Sequence, residues 1–195
     1  MEQFARVVLG YHGCNTPESI EFARQLFDGT ASPSDWKPSN NEYDWLGHGV
    51  YFWEYGPHRA REWAGEDGTV VGAVIQLGRC LDLTDIRDTQ LLKSAYETVT
   101  TLYNEAGWSL PQNEGRELKL RKLDCVVINQ FMDDMDRDFG GPDGKSHYQT
   151  VRCPFEEGNA VFPGSMLKTQ THIQISVRDL SCILGVFRPN FASRE

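Results

Sequence analysis

The chain has 195 residues, 39% of them hydrophobic and 24% charged, which is enough for one compact domain and too apolar for a disordered chain. A net charge of −9 works against general affinity for nucleic acid phosphates, although it leaves room for a local basic site. Five scattered cysteines (Cys14, Cys80, Cys125, Cys153 and Cys182) with no CxxC pair exclude a disulfide framework and a zinc site and fit a reducing compartment.

The first residues, MEQFARVVLGYHG, lack a basic region followed by a long apolar stretch. A cytoplasmic protein without signal peptide, membrane span or membrane partner is expected. Arg6–Tyr11 reads as a first strand. Thr16 then offers an N-cap, with Pro17 in the first helical position and Glu18 in the first turn. Ile20, Ala23 and Phe27 continue at helical spacing, and Gly29 is placed to end the helix. Ala31–Asp44, with two prolines and two asparagines, reads as a long loop of the kind that carries function.

The run GHGVYFWE (residues 47–54) is a strand without polar alternation. Either both its faces are covered, or one of its aromatics is presented to a ligand. Pro57 opens a short helix through Ala60 and Trp63, and Thr69–Leu77 and Cys80–Leu83 follow as strands about the bend at Gly78. Thr84–Ala106 forms the clearest helix, with Leu92, Ala95, Tyr96, Val99, Leu102 and Tyr103 on one face. Gly115–Met135 is expected as another, striped by Leu120, Leu123, Val127 and Phe131. The acidic residues Asp133, Asp134, Asp136 and Asp138 suit a solvated helix end, and 136–147 reads as a Gly/Asp-rich loop. Tyr148–Cys153, His172–Arg178 and Cys182–Phe187 close the chain as strands. The class is α+β, with no repeat or linker dividing residues 1–195.

Three stretches carry chemistry together: Tyr11-His12-Gly13 at the end of the first strand, GHGVYF, and THIQISVRD (171–179) on a late strand. This ordered set, spanning Tyr11 to about Phe187, resembles the ADP-ribosyltransferases of the diphtheria toxin and poly(ADP-ribose) polymerase type. The resemblance implies two small, mostly antiparallel sheets around an NAD cleft with flanking helices. It also implies a mono-ADP-ribosyltransferase that cleaves nicotinamide from its co-substrate NAD, without a metal, and transfers ADP-ribose to a macromolecular acceptor, protein or nucleic acid. A small domain of this type looks like a toxin or phage-defence effector with a neutralising antitoxin partner. A catalytically inactive NAD- or ADP-ribose-binding domain and an NAD glycohydrolase are the alternatives.

By that resemblance His12 bonds the adenine-side ribose and the main chain of Gly13 clamps the carboxamide. Tyr51 stacks on nicotinamide, and Gly47 and Gly49 let the strand approach the ligand. His48 is a further candidate for the cleft lining. The family's late-strand glutamate falls on Gln174, which can orient a ribose hydroxyl but supplies no negative charge to an oxocarbenium ion. Glu156 and Glu157, in CPFEEG, are candidates for that missing carboxylate. His172 shares a strand face with Gln174, so both or neither should meet the cleft. Arg152 and Arg178 are candidates for the pyrophosphate, with surface ion pairs as the simpler role. Trp53 and Glu54 either face the acceptor or serve core and helix entry. Cys125, inside an apolar helical stripe, reads as core.

Overall fold

The computed structural model describes residues 6–140 and 147–191. Its strands are β1 (Val7–Cys14), β2 (Val50–Glu54), β3 (Thr69–Gln76), β4 (Cys80–Asp82), β5 (Thr150–Phe155), β6 (His172–Val177) and β7 (Ile183–Phe187). The helices are α1 (Pro17–Asp28), α2 (Pro57–Ala64), α3 (Ile86–Glu105) and α4 (Lys122–Phe139). The strands form one sheet in the order β4-β5-β6-β2-β1-β3-β7, antiparallel except for the β4–β5 pair. This corrects the expectation of two sheets. The halves β4-β5-β6-β2 and β1-β3-β7 stay joined because Gly10 pairs with Glu54 and Tyr11 with Trp53. Among the described residues no helix is long and apolar enough to cross a membrane.

The sheet is buried on both faces, which answers the missing alternation of 47–54. Val50 and Phe52 join Val8, Ile75, Ile175 and Val177 in a core closed by Ala23 and Leu26 of α1 and by Trp36. On the opposite face Tyr51 packs beside a core of Leu46, Val99, Phe131, Met132 and Val151, and Trp53 packs with Ala60, Ala64 and Val70. Phe52 is fully buried, so truncating it to alanine would cost about 3–5 kcal/mol.

Local chemistry explains most helix ends. Thr16 Oγ1 accepts the Ser19 N–H at 3.2 Å while Ser19 Oγ accepts the Thr16 N–H at 3.0 Å, and Gly29 ends α1 in the left-handed region at φ +73°. Asp85 rather than Thr84 opens α3, its side chain accepting the Arg87 N–H at 2.9 Å. Ala95 and Val99 are buried while Tyr96 and Leu102 face out, so the apolar stripe of α3 is narrower than its sequence suggests. The start of α4 is displaced from Gly115 to Lys122. Residues 114–120 make a loop closed by Glu114–Leu120 pairing, with Glu117 and Leu118 at φ +56° and +54°. The first turn of α4 is capped from a distance, because Asn113 Oδ1 accepts the N–H groups of Leu123 (2.9 Å) and Asp124 (3.4 Å). Of the expected 136–147 loop, Asp136–Phe139 is the end of α4 and residues 141–146 lie outside the described residues.

Candidate functional site

The two inner strands set the site. β1 pairs with β3 along its whole length, from Val7–Gln76 to Cys14–Thr69, but with β2 only at Gly10 and Tyr11. The Tyr55 N–H donates to Leu9 O at 2.9 Å, so the main-chain groups of Leu9 face β2. By strand alternation those of Tyr11 and Gly13 face the same way. Beyond Tyr11 the strands diverge, and the Tyr51 carbonyl and the N–H and C=O of Gly13 turn toward the gap.

His12 closes part of that gap. Its Nδ1 lies 2.7 Å from the Tyr51 carbonyl oxygen. A carbonyl only accepts, so Nδ1 carries the hydrogen and Nε2 keeps its lone pair. Burial pushes the imidazole pKa below its ordinary value, against the opposing pull of the Tyr51 carbonyl, and favours the neutral ring. Trp36 and Phe52, with ring centroids at 5.1 and 5.8 Å, fix its plane.

A cleft of about 1060 Å³ opens here, at the upper end of the range for small-molecule sites. His12, Gly13, Gly49, Tyr51, Glu157 and Gln174 all line it. His48 and Glu156 do not. The His48 ring is exposed and acts on Asp44 only through its field, while its main chain donates to Asn129 Oδ1 at 2.9 Å and accepts from Ser176 Oγ at 3.3 Å. Glu156 points to solvent while its neighbour Glu157 is 8% exposed.

Each lining residue is held for a physical reason. A Cβ on Gly13 would come within 2.5 Å of the Ala60 carbonyl oxygen, so the missing side chain there admits α2, and the freed main chain follows from strand divergence. A Cβ on Gly49 would strike Ser176 Oγ, so that glycine admits β6 rather than a ligand. The Tyr51 hydroxyl donates to Gly47 O at 2.6 Å and accepts the Leu46 N–H at 2.7 Å. Burial drives its pKa far upward, so the hydroxyl stays protonated and engaged, and the ring is what the residue offers to the cleft. Gln174 stands across from Trp53 and Cys153, and its amide has no hydrogen-bond partner among the described residues.

Glu157 is the candidate carboxylate that does reach the cleft, but it is compensated. Arg59 Nη2 and Lys119 Nζ each lie 3.0 Å from it. Burial opposes ionisation, yet the Lys119 and Arg59 hydrogen bonds and charges outweigh it and hold the carboxyl below its ordinary value. His172 is buried behind this pair, 3.7 Å from Glu157, with Nδ1 donating to Gln170 O at 2.7 Å. Gln174 therefore meets the cleft without its strand-face partner, because His172 begins β6 beneath the turn that carries Glu157.

The two arginines considered for pyrophosphate are engaged elsewhere. Arg152 bridges Glu54 (2.5 Å) and Asp82 (3.1 Å), and Arg178 lies 3.8 Å from Asp133. Neither lines the cleft. Its cations are Lys37, Arg59 and Lys119, and its aromatic wall includes Trp36, Trp45, Trp53 and Trp63. Nothing in the local sequence marks Arg59 or Lys119, since chain segments far apart in sequence bring them to Glu157. Cys125 is buried, and burial raises its thiol pKa, as suits a core position. No cluster of three or more metal-ligating side chains occurs among the described residues. No protein-family model, curated protein or solved structure matches this chain.

Proposed function

We propose that the cleft binds NAD and that the chain is a mono-ADP-ribosyltransferase acting on a protein or nucleic acid acceptor. The observation that carries this reading is the divergence of β1 and β2, which leaves Gly13 main-chain groups, a neutral His12 and the Tyr51 ring lining one cleft. Nicotinamide is a flat aromatic amide. The Gly13 N–H and C=O complement its carboxamide, and Tyr51 complements its ring. His12 Nε2 can accept from a ribose hydroxyl, and the Gln174 amide, unpartnered among the described residues, can bond the other ribose.

In the reaction, the bond between ribose C1′ and the nicotinamide nitrogen breaks. Its electron pair leaves with the now neutral nicotinamide, and positive charge develops on the ribose as in glycoside cleavage. The acceptor nucleophile then bonds C1′ and gives up its proton. Gln174 orients the sugar without stabilising its charge electrostatically, which supports transfer of a single ADP-ribose.

A second reading, NAD binding without catalysis, is favoured by that same residue and by the neutralisation of Glu157 by Arg59 and Lys119. One experiment separates the readings. The protein is incubated with labelled NAD, with and without cell lysate, and free nicotinamide and macromolecular label are followed. Release dependent on lysate, with label transferred, supports the transferase. Release without lysate identifies a glycohydrolase, and binding without release identifies an inactive reader.

A further inference from the structure

Two carboxylates in the cleft wall are equally buried, Glu157 and Asp44, each 8% exposed. Their surroundings differ in charge. Glu157 faces two cations at 3.0 Å, whereas Asp44 has none in ion-pair reach among the described residues. Asp44 is held by neutral donors instead. Its Oδ1 accepts from Ser39 Oγ at 2.9 Å and from Asn41 Nδ2 at 3.4 Å, and its Oδ2 accepts the Asn41 N–H at 3.0 Å. The titratable groups whose fields it shares are His48, Tyr51 and Cys125. Burial raises the pKa values of the Tyr51 hydroxyl and the Cys125 thiol, so both remain neutral, and His48 is exposed to solvent.

A buried carboxylate without a cation is costly to keep ionised, and burial lifts the Asp44 pKa against the pull of Ser39 and Asn41. A ligand that brings positive charge into the cleft relieves that cost. The Asp44 main chain is also linked to the Tyr51 hydroxyl through Gly47. The Gly47 N–H donates to the Asp44 main-chain oxygen at 3.4 Å, and the Tyr51 hydroxyl donates to Gly47 O at 2.6 Å. Asp44 therefore stands at the Tyr51 side of the cleft, and compensated Glu157 stands with Arg59 and Lys119.

The geometry points to Asp44 as the residue that reads the positive charge of the nicotinamide ring and makes the cleft select oxidised over reduced dinucleotide. This rests on the proposed NAD site. The oxidised ring is a pyridinium with a unit positive charge, and the reduced ring is neutral with nearly the same outline. Shape, stacking on Tyr51 and the carboxamide bonds of Gly13 distinguish the two poorly, but a carboxylate in the cleft wall, whose ionised form the pyridinium itself favours, distinguishes them directly. The missing family glutamate and Asp44 then differ in role. A carboxylate at position 174 would act on the ribose as charge develops there, whereas one beside the ring acts on the bound substrate.

The test is calorimetric titration of the protein with NAD and, separately, NADH. The wild type is expected to bind NAD more tightly by about tenfold or more. In Asp44→Asn, which keeps an acceptor for the Asn41 N–H, that ratio should fall to about one, and in Asp44→Glu it should persist. Melting curves confirm that each variant is folded, and the wild-type ratio stands even if a variant is not. Equal wild-type affinity for the two dinucleotides, or a ratio unchanged in folded Asp44→Asn, overturns the role of Asp44 while leaving the NAD site in place. Binding of neither dinucleotide overturns the NAD site and this inference with it.

Discussion

The two margins of β1 are built from the same eight residues and behave differently. Toward β3 every residue is paired, and the row Val8, Gly10 and His12 meets Ile75, Ala73 and Val71. Toward β2 the pairing stops after Tyr11, and a side chain, His12, stands in for the next main-chain partner. The closed margin is scaffold. The open margin leaves polar main-chain groups in a hollow walled by aromatic rings, which is costly for stability and useful only if something binds there. In this fold the cleft opens where a sheet stops pairing.

That contrast can be broken most sharply at Tyr51. Tyr51→Ala removes the ring from the open margin and should reduce nicotinamide release by about a hundredfold, whereas Tyr51→Phe keeps the ring. Losing the hydroxyl leaves Gly47 O and the Leu46 N–H unpaired, so Tyr51→Phe should lower stability by about 1–3 kcal/mol and retain most activity. Equal loss of release in both variants would mean that the hydroxyl, not the ring, matters.

Gly13→Ala sharpens the contrast from the other side. Its Cβ would meet the Ala60 carbonyl, so we expect a loss of about 3 kcal/mol in urea unfolding, from displacement of α2. Unchanged stability would show that α2 yields easily and that the glycine serves the ligand after all.

Glu157→Gln should cost about 2 kcal/mol at neutral pH by leaving Arg59 and Lys119 without their carboxylate, with Lys119 softened by its exposure. The folded-state pKa of Glu157 lies below its ordinary 4.5, so this stabilisation is complete above 4.5 and is lost as pH falls through the folded value. The gap between wild type and variant should close over that window in urea melts at successive pH values.

The smallest effect is that of the histidines. His12 and His172 have pKa values lowered from 6.5 by burial, so the unfolded chain takes up their protons first. The stability they contribute is complete above pH 6.5 and declines as pH falls from there toward their folded values. His12→Asn should flatten this limb, read from the same melts.

The closed margin was legible in sequence, and the open one only in part. Val7–Leu9, TVVGAVIQL and the Thr16–Gly29 helix follow from composition, caps and periodicity, all of which act within a few residues. His12, Tyr51, Gln174 and Glu157, which line the cleft, stand in motifs or candidate pairs visible in the sequence. Which of Glu156 and Glu157 turns inward depends on Arg59 and Lys119, which arrive from α2 and the 114–120 loop and leave no local signal. Asp44 was likewise hidden in a stretch that reads only as polar loop. The late start of α4 was missed because its cap, Asn113, sits beyond a loop with two left-handed non-glycine residues.

In the proposed function the gap between β1 and β2 holds the nicotinamide end of the substrate. Its most direct test is titration of isotopically labelled protein with nicotinamide alone, followed through backbone amide resonances. The Gly13 amide should move most, with Tyr51 and Gln174 beside it, while amides on the β3 side of β1, such as Val8 and Gly10, stay in place. A stationary Gly13 with shifts around Leu83, Leu92 and Tyr96, which line a second and smaller pocket, would contradict it.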